Sequence, residues 1–162
     1  MGEVIKVGMA DLKVCTVPDS LTTLGLGSCV GIALYDRTTK ITGLAHIMLP
    51  SSKEICNNSN IAKFADTGIE ETVRLMKAKG AKVSNIVAKI AGGAQMFAFS
   101  TNKNEMLNVG DRNVYAVKEK LKELNIPIIA EDTGLNFGRT VIIDSETGIY
   151  TIKAVGKDIK EI

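Results

Sequence analysis

Two apolar runs, Cys29 to Tyr35 and Ile41 to Leu49, flank the polar stretch Asp36-Arg37-Thr38-Thr39-Lys40. Val30, Ile32 and Leu34 alternate as in a strand, and the short polar connection makes the pair read as a β-hairpin. With the turn centred between Arg37 and Thr38, Leu34 faces Ile41, Ile32 faces Gly43, Val30 faces Ala45, and Cys29 faces His46. Direct antiparallel partners share a face with Cβ atoms roughly 4.5 to 5.5 Å apart, close enough for a sulfur to meet an imidazole nitrogen. A three- or five-residue turn instead shifts the partner of Cys29 to Ala45 or Ile47 and aims His46 at the other face. The pairing is therefore conditional on the turn.

His46 is the single His among 162 residues, so a pairing that involves it is informative. One imidazole and three irregularly spaced cysteines, Cys15, Cys29 and Cys56, leave a structural zinc site without ordinary ligands, and an odd number of cysteines excludes a complete disulfide framework. No metal and no cofactor are expected. The 20 Lys and Arg against 18 Asp and Glu are too balanced and dispersed for a nucleic-acid partner. No window approaches the roughly 18 consecutive apolar residues of a membrane span, and the N-terminus lacks a basic segment followed by an apolar core. The expected location is the cytoplasm, with no membrane insertion, where thiols stay reduced. Asn57-Asn58-Ser59 matches the glycosylation acceptor pattern but, without an export signal, reads as a polar loop.

No repeat or linker divides the chain, so residues 1 to 162 are expected to form a single domain. The segment Val4 to Thr16 is β-rich and is stopped by Val17-Pro18-Asp19-Ser20. Ile61 to Lys79 carries Ala65, Ile69, Val73 and Met76 at helical spacing and ends at Gly80, and Gly110 to Leu124 carries Val114, Val117, Leu121 and Leu124 on one stripe. Asn85 to Ala91 and Pro127 to Ala130 read as strands, while Arg139 to Asp144 and Ile149 to Ala154 form a second hairpin around a turn containing Gly148. The pattern predicts an α+β domain, with two main helices covering a largely antiparallel or mixed sheet or pair of sheets.

The glycine cluster Thr22-Thr23-Leu24-Gly25-Leu26-Gly27-Ser28-Cys29-Val30-Gly31 misses the dinucleotide spacing by one residue and lacks a phosphate-loop lysine. A nucleophile elbow needs a helix after the nucleophile, whereas a strand follows Cys29. What remains is a Cys at the start of a strand, behind a bend that brings backbone N–H groups near its sulfur. A neighbouring imidazole can take the proton of such a thiol, and a third group usually holds the ring by accepting its other N–H. Thr23 offers a hydroxyl and a carbonyl for that role. The bland alternative is an inert buried thiol beside a core His. Cys15 has no nearby base and Cys56 lies in a polar loop.

These residues resemble the CheD family of chemoreceptor glutamine deamidases. The resemblance is carried by Thr23 to Val30 and by Ala45-His46-Ile47-Met48-Leu49-Pro50. It continues through Lys63 to Asp66, Lys89 to Phe97, Gly110-Asp111-Arg112-Asn113-Val114 and Ala130 to Gly134; Leu135 departs from it, standing where a second Gly is expected. It implies Cys29 as nucleophile, His46 as base and Thr23 as the residue orienting His46. The implied scaffold is an α/β sandwich related to the deamidating cytotoxic necrotizing toxins. The implied reaction converts receptor Gln to Glu through a Cys-linked acyl-enzyme, and the same intermediate gives hydrolysis of receptor glutamyl methyl esters. The implied partners are methyl-accepting receptors and the phosphatase CheC.

Backbone groups of Gly27 and Ser28, up to Cys29, are candidates for stabilising an oxyanion. Gly92 and Gly93 are candidates for lining a substrate cleft, the alternative being tight turns. The acidic Glu131-Asp132 pair lacks the further ligands a metal would need. Two other classes compete with the enzyme: a non-catalytic module that binds CheC and receptors, and a redox switch at a free thiol.

Overall fold

The computed structural model describes residues 2–54, 59–95 and 109–162. Cys56, Asn57 and Asn58, and Met96 and Phe97 of the family-like motif, lie outside the described residues. The N-terminal segment read as one β-rich run is two strands, β1 (Val4–Lys6) and β2 (Asp11–Cys15), parted by a turn in which Ala10 takes φ 56°. They belong to different sheets. Then follow β3 (Ser20–Leu26), β4 (Val30–Asp36), β5 (Thr42–Ile47), α1 (Ala65–Ala78), β6 (Ile86–Gly92), α2 (Val109–Glu123), β7 (Ile128–Thr133), β8 (Arg139–Asp144), β9 (Tyr150–Lys153) and β10 (Lys160–Glu161).

Among the described residues the strands form two sheets, ordered β1-β3-β8-β9-β10 and β2-β5-β4-β6-β7. The β1·β3 and β6·β7 pairs are parallel and the others antiparallel, so the sheets are mixed. The expected α+β class with two main helices matches this arrangement. The second sheet is the middle layer. One of its faces, with Val30, Ile32, Leu34, Ala45, Ile47, Ala88 and Ile90, packs on Ile69, Val73 and Met76 of α1 and on Val117 and Leu121 of α2. Each fully buried aliphatic side chain of this kind contributes about 1.5–3 kcal/mol. Gly43 is needed on that face, because a Cβ there would sit 2.5 Å from the Thr72 methyl of α1.

The opposite face of the middle sheet meets the first sheet across a second core of Leu21, Leu26, Cys29, Ala33, Leu44, Val141, Ile143 and Tyr150. Val30, Ile32 and Leu34 are thus buried against helices while Gly31 and Ala33 face the other sheet. Buried on both sides, β4 and β5 read in the sequence as nearly continuous apolar runs.

The register of this hairpin corrects the sequence expectation. Asp36 N–H bonds Ile41 carbonyl at 3.0 Å, which makes Arg37 to Lys40 a four-residue loop, and Lys40 adopts φ 65° to close it. Val30 consequently pairs with Ile47, Ile32 with Ala45, and Gly31, not Cys29, lies directly opposite His46. A slip of two residues preserves the face. Cys29 and His46 still share the inter-sheet side, as diagonal rather than direct neighbours.

Candidate active site

Thr23 reaches the site from the first sheet and His46 from the second, so the packing of the two sheets assembles it. Thr23 Oγ1 lies 2.6 Å from His46 Nδ1 and 2.7 Å from the carbonyl oxygen of Val7, and both Thr23 and His46 are fully buried. The Val7 oxygen can only accept, so the single hydroxyl proton of Thr23 goes there. The remaining lone pairs of Oγ1 must therefore accept from Nδ1–H. That fixes the tautomer and leaves Nε2 with a bare lone pair. Among the described residues Nε2 has no hydrogen-bond partner. A buried, unpaired acceptor costs stability, and such an atom in a native fold calls for an explanation.

Gly31 occupies the position opposite His46 because there is no room for a side chain: a Cβ would lie 2.8 Å from the Tyr150 hydroxyl and 3.0 Å from Leu26 Cδ1. Tyr150, fully buried, donates to the Gly31 carbonyl at 2.9 Å and so closes the floor of the site. Its phenol is pushed upward by burial and stays protonated.

Cys29 lies just before β4, 8% exposed. The strip leading to it is held by its carbonyls: Gly27 accepts from Ala94 N–H at 2.8 Å, Ser28 from Asn113 Nδ2 at 2.9 Å, and Cys29 from Gly93 N–H at 2.8 Å. In a trans peptide the N–H points opposite to the C=O of the same plane. The amides of Ser28 and Cys29 are thereby turned away from these anchors. The Gly27 amide differs, since it bonds the Gly25 carbonyl at 3.1 Å. Of the expected oxyanion donors, Gly27 is therefore engaged elsewhere.

Gly92 and Gly93, candidates for a substrate cleft or for tight turns, have φ of 107° and 66° and are buried. The close approach they allow is to the protein itself. A Cβ on Gly92 would collide with the Cys29 carbonyl, and one on Gly93 with Val114. Gly110 continues the contact, since a Cβ there would strike the Ala94 and Gly93 carbonyls, and this brings the first turn of α2 against the Cys29 strip.

Burial lowers His46 to about 4 and raises the Cys29 thiol above its ordinary value, against a smaller favourable contribution from the Cys29 amide. Both shifts favour the neutral forms, thiol and imidazole, over a thiolate–imidazolium pair, and the Cys29 thiol is not hydrogen-bonded to Nε2. Cys15, in the same inter-sheet core, is raised to about 11 by burial and by Asp19 and Asp144. It donates a long bond of 3.7 Å to the Asp19 carbonyl. Asp132 is held by Arg139 at 3.0 Å and Lys160 at 2.9 Å, and no cluster of three or more His, Cys, Asp or Glu suited to a metal occurs among the described residues. No helix among them is long and apolar enough to cross a membrane.

Residues 48–154 match the model of a family described as CheD chemotactic sensory transduction. A Lachnoclostridium phytofermentans protein named "Probable chemoreceptor glutamine deamidase CheD" is 64% identical over 162 residues, covering 100% of both chains. One of the same name from Caldanaerobacter subterraneus subsp. tengcongensis is 53% identical over 160 residues, covering 99% of this chain and 98% of its own. The chain belongs to the CheD family. Among solved structures, a Neisseria meningitidis protein of the DUF152 family superposes with a TM-score of 0.52 at 10% identity, covering 82% of this chain and 64% of that one. That likeness concerns the fold alone. The CheD family model begins at Met48, so the Thr23, Cys29 and His46 positions fall within the full-length relatives but outside the matched segment.

Proposed function

We propose that this CheD-family protein is a cytoplasmic chemoreceptor glutamine deamidase that uses Cys29 as nucleophile and His46 as base. The observation that carries the reading is the buried His46 ring, tied at Nδ1 to Thr23 and bare at Nε2, on the same face as a thiol. A ring arranged in this way can accept a proton at one atom only.

In the proposed reaction the receptor Gln carboxamide enters beside Cys29. His46 Nε2 takes the thiol proton as sulfur attacks the amide carbon, and the carbonyl π electrons move to oxygen. The amide N–H groups of Ser28 and Cys29 receive that oxyanion. Collapse expels ammonia, which takes the proton back from His46, and leaves a thioester. Water, deprotonated by His46, attacks the thioester; the tetrahedral adduct collapses, and the sulfur leaves with the proton from His46, giving Glu and the neutral pair. Because the resting pair is neutral, proton transfer accompanies attack instead of preceding it. A glutamyl methyl ester would form the same thioester with methanol leaving. Within this reading the scaffold is akin to the deamidating necrotizing toxins, and CheC is a partner that competes with receptor.

The test is receptor cytoplasmic fragment incubated with the wild type or Cys29→Ala, with ammonia release and the mass of receptor glutamines followed. Loss of conversion by about 10³-fold or more is expected for removal of a covalent nucleophile. Equal conversion by the two proteins ends the Cys29 assignment, and no conversion by the wild type leaves a non-catalytic binding module as the reading.

A further inference from the structure

The same site contains a side chain with no part in the steps above. Asn113, on the first turns of α2, is fully buried, and its Nδ2 lies 2.9 Å from the Ser28 carbonyl and 2.9 Å from the Met48 carbonyl. Both partners accept only, so the atom between them must be the amide nitrogen, whichever way the side chain is drawn. One carbonyl belongs to the residue before Cys29 and the other lies two residues after His46. The Asn113 Oδ1 is buried with no partner among the described residues. Burying half an amide unsatisfied is a cost that a Val or Leu at this position would not carry.

We infer that Asn113 is a positioning residue for the oxyanion donor: its Nδ2 fork sets the Ser28–Cys29 peptide plane, and hence the direction of the Cys29 N–H, relative to the strand that carries His46. The peptide whose C=O Asn113 holds is the one whose N–H belongs to Cys29. A hydrogen bond to that carbonyl also polarises the peptide and strengthens its N–H as a donor. The second bond, to Met48, ties this plane to the segment after β5, so that nucleophile and base move together. Gly110 and Gly93 permit it by letting α2 sit against the strip.

The inference rests on the deamidase reading, and the two separate in experiment. Iodoacetamide alkylates a thiolate by displacement at carbon and forms no oxyanion, whereas deamidation does. Asn113→Ala is expected to lower kcat for receptor deamidation about tenfold or more, with KM within about twofold, as for loss of a transition-state donor. Cys29 alkylation should fall less than kcat does and stay within about threefold of wild type, because the sulfur and its base remain and the Cys29 amide is the smaller influence on the thiol. Leu124→Ala, a packing change near the far end of α2, serves as a control of comparable thermal destabilisation and should retain kcat. Where the alanine variant does not fold, Asn113→Ser removes the two-donor fork with a smaller change and is measured in the same way.

Unchanged kcat, or a parallel fall in kcat and alkylation like that caused by general loosening, overturns the inference. If the wild type does not deamidate, the deamidase reading itself falls; if Cys29→Ala still deamidates, the Cys29 assignment falls. If Cys29→Ala is inactive while Asn113→Ala is fully active, only the role of Asn113 falls.

Discussion

Cys15 and Cys29 are buried thiols in the same inter-sheet core, both raised above the ordinary range, yet their surroundings have opposite characters. Around Cys15 a carbonyl and two carboxylates oppose a thiolate, against a smaller favourable contribution from Lys79. Around Cys29 they are its own amide, which favours one, and on the same face an imidazole with a free lone pair. Burial therefore does not separate Cys15 from Cys29, the proposed nucleophile. What separates them is whether a proton acceptor and N–H donors are held ready.

The largest expected difference is in reactivity. Cys15→Ala should keep receptor deamidation within about twofold, against the loss of about 10³-fold for Cys29→Ala. In wild-type protein, iodoacetamide at pH 8 should label Cys29 well before Cys15, followed by peptide mass spectrometry. The Cys29 rate should keep climbing past pH 9, because burial raises its thiol. Equal labelling of the two would erase the contrast.

The proposed base, His46, also leaves a mark on stability. His46 has an ordinary value of 6.5 and is lowered to about 4 in the fold, so between these limits the unfolded chain binds a proton that the folded chain does not. Stability must then rise with pH across that window and is lost as pH falls from 6.5 toward 4. The full difference is about 3 kcal/mol. Urea denaturation of wild type and His46→Asn at pH 7 and pH 4.5 measures it: the wild type should lose more. The low-pH limb of kcat/KM should likewise lie nearer 4 than 6.5.

Removing the group that orients His46 should cost less. Thr23→Val leaves Nδ1 without its acceptor and Val7 without its donor. The expected fall in kcat is about 10–100-fold, the range for losing the hydrogen-bond partner that sets a ring's orientation. Thr23→Ser keeps the hydroxyl and should recover most of it. The Cys15 labelling rate should not move in either variant, because nothing at Cys15 depends on this ring.

The sequence carried the identities of these residues further than their geometry. Strand alternation put His46 and Cys29 on one face correctly, but the partner was wrong. A turn of two residues and a loop of four differ by two in register, and only Lys40 at positive φ, an unusual residue for that conformation, closes the observed loop. β3 was hidden because Gly25 and Gly27 read as a bend; in fact Gly25 sits at a register irregularity between Thr23 and Leu26 within a continuous strand. Gly31 was legible as a glycine but not as the space for Tyr150, which is 119 residues away. Asn113 left a usable signal: it shares the buried stripe of α2 with Gly110, Val117 and Leu121. A polar side chain on an apolar stripe needs buried partners, though nothing local says that they are Ser28 and Met48.

The smallest expected effect concerns the loop behind the Cys29 strip. Leu135, standing where the family resemblance leads one to expect Gly, has φ 61° and is 67% exposed. The left-handed conformation costs an L residue roughly 1–2 kcal/mol, part of which Gly returns through its greater freedom when unfolded. Little burial is lost on truncation, so Leu135→Gly should stabilise the protein by about 0.5–1 kcal/mol, raising Tm by about 1–4 °C. The loop leans on the site through Gly134 N–H to the Gly92 carbonyl and Gln95 N–H to the Leu135 carbonyl, each 2.9 Å, and neither bond uses the side chain. The ratio of Cys29 to Cys15 labelling should therefore be unchanged. A higher Tm with that ratio intact would show that the loop's backbone, rather than the leucine, supports the nucleophile. A shifted ratio would mean that the left-handed strain is itself coupled to the strip holding Cys29.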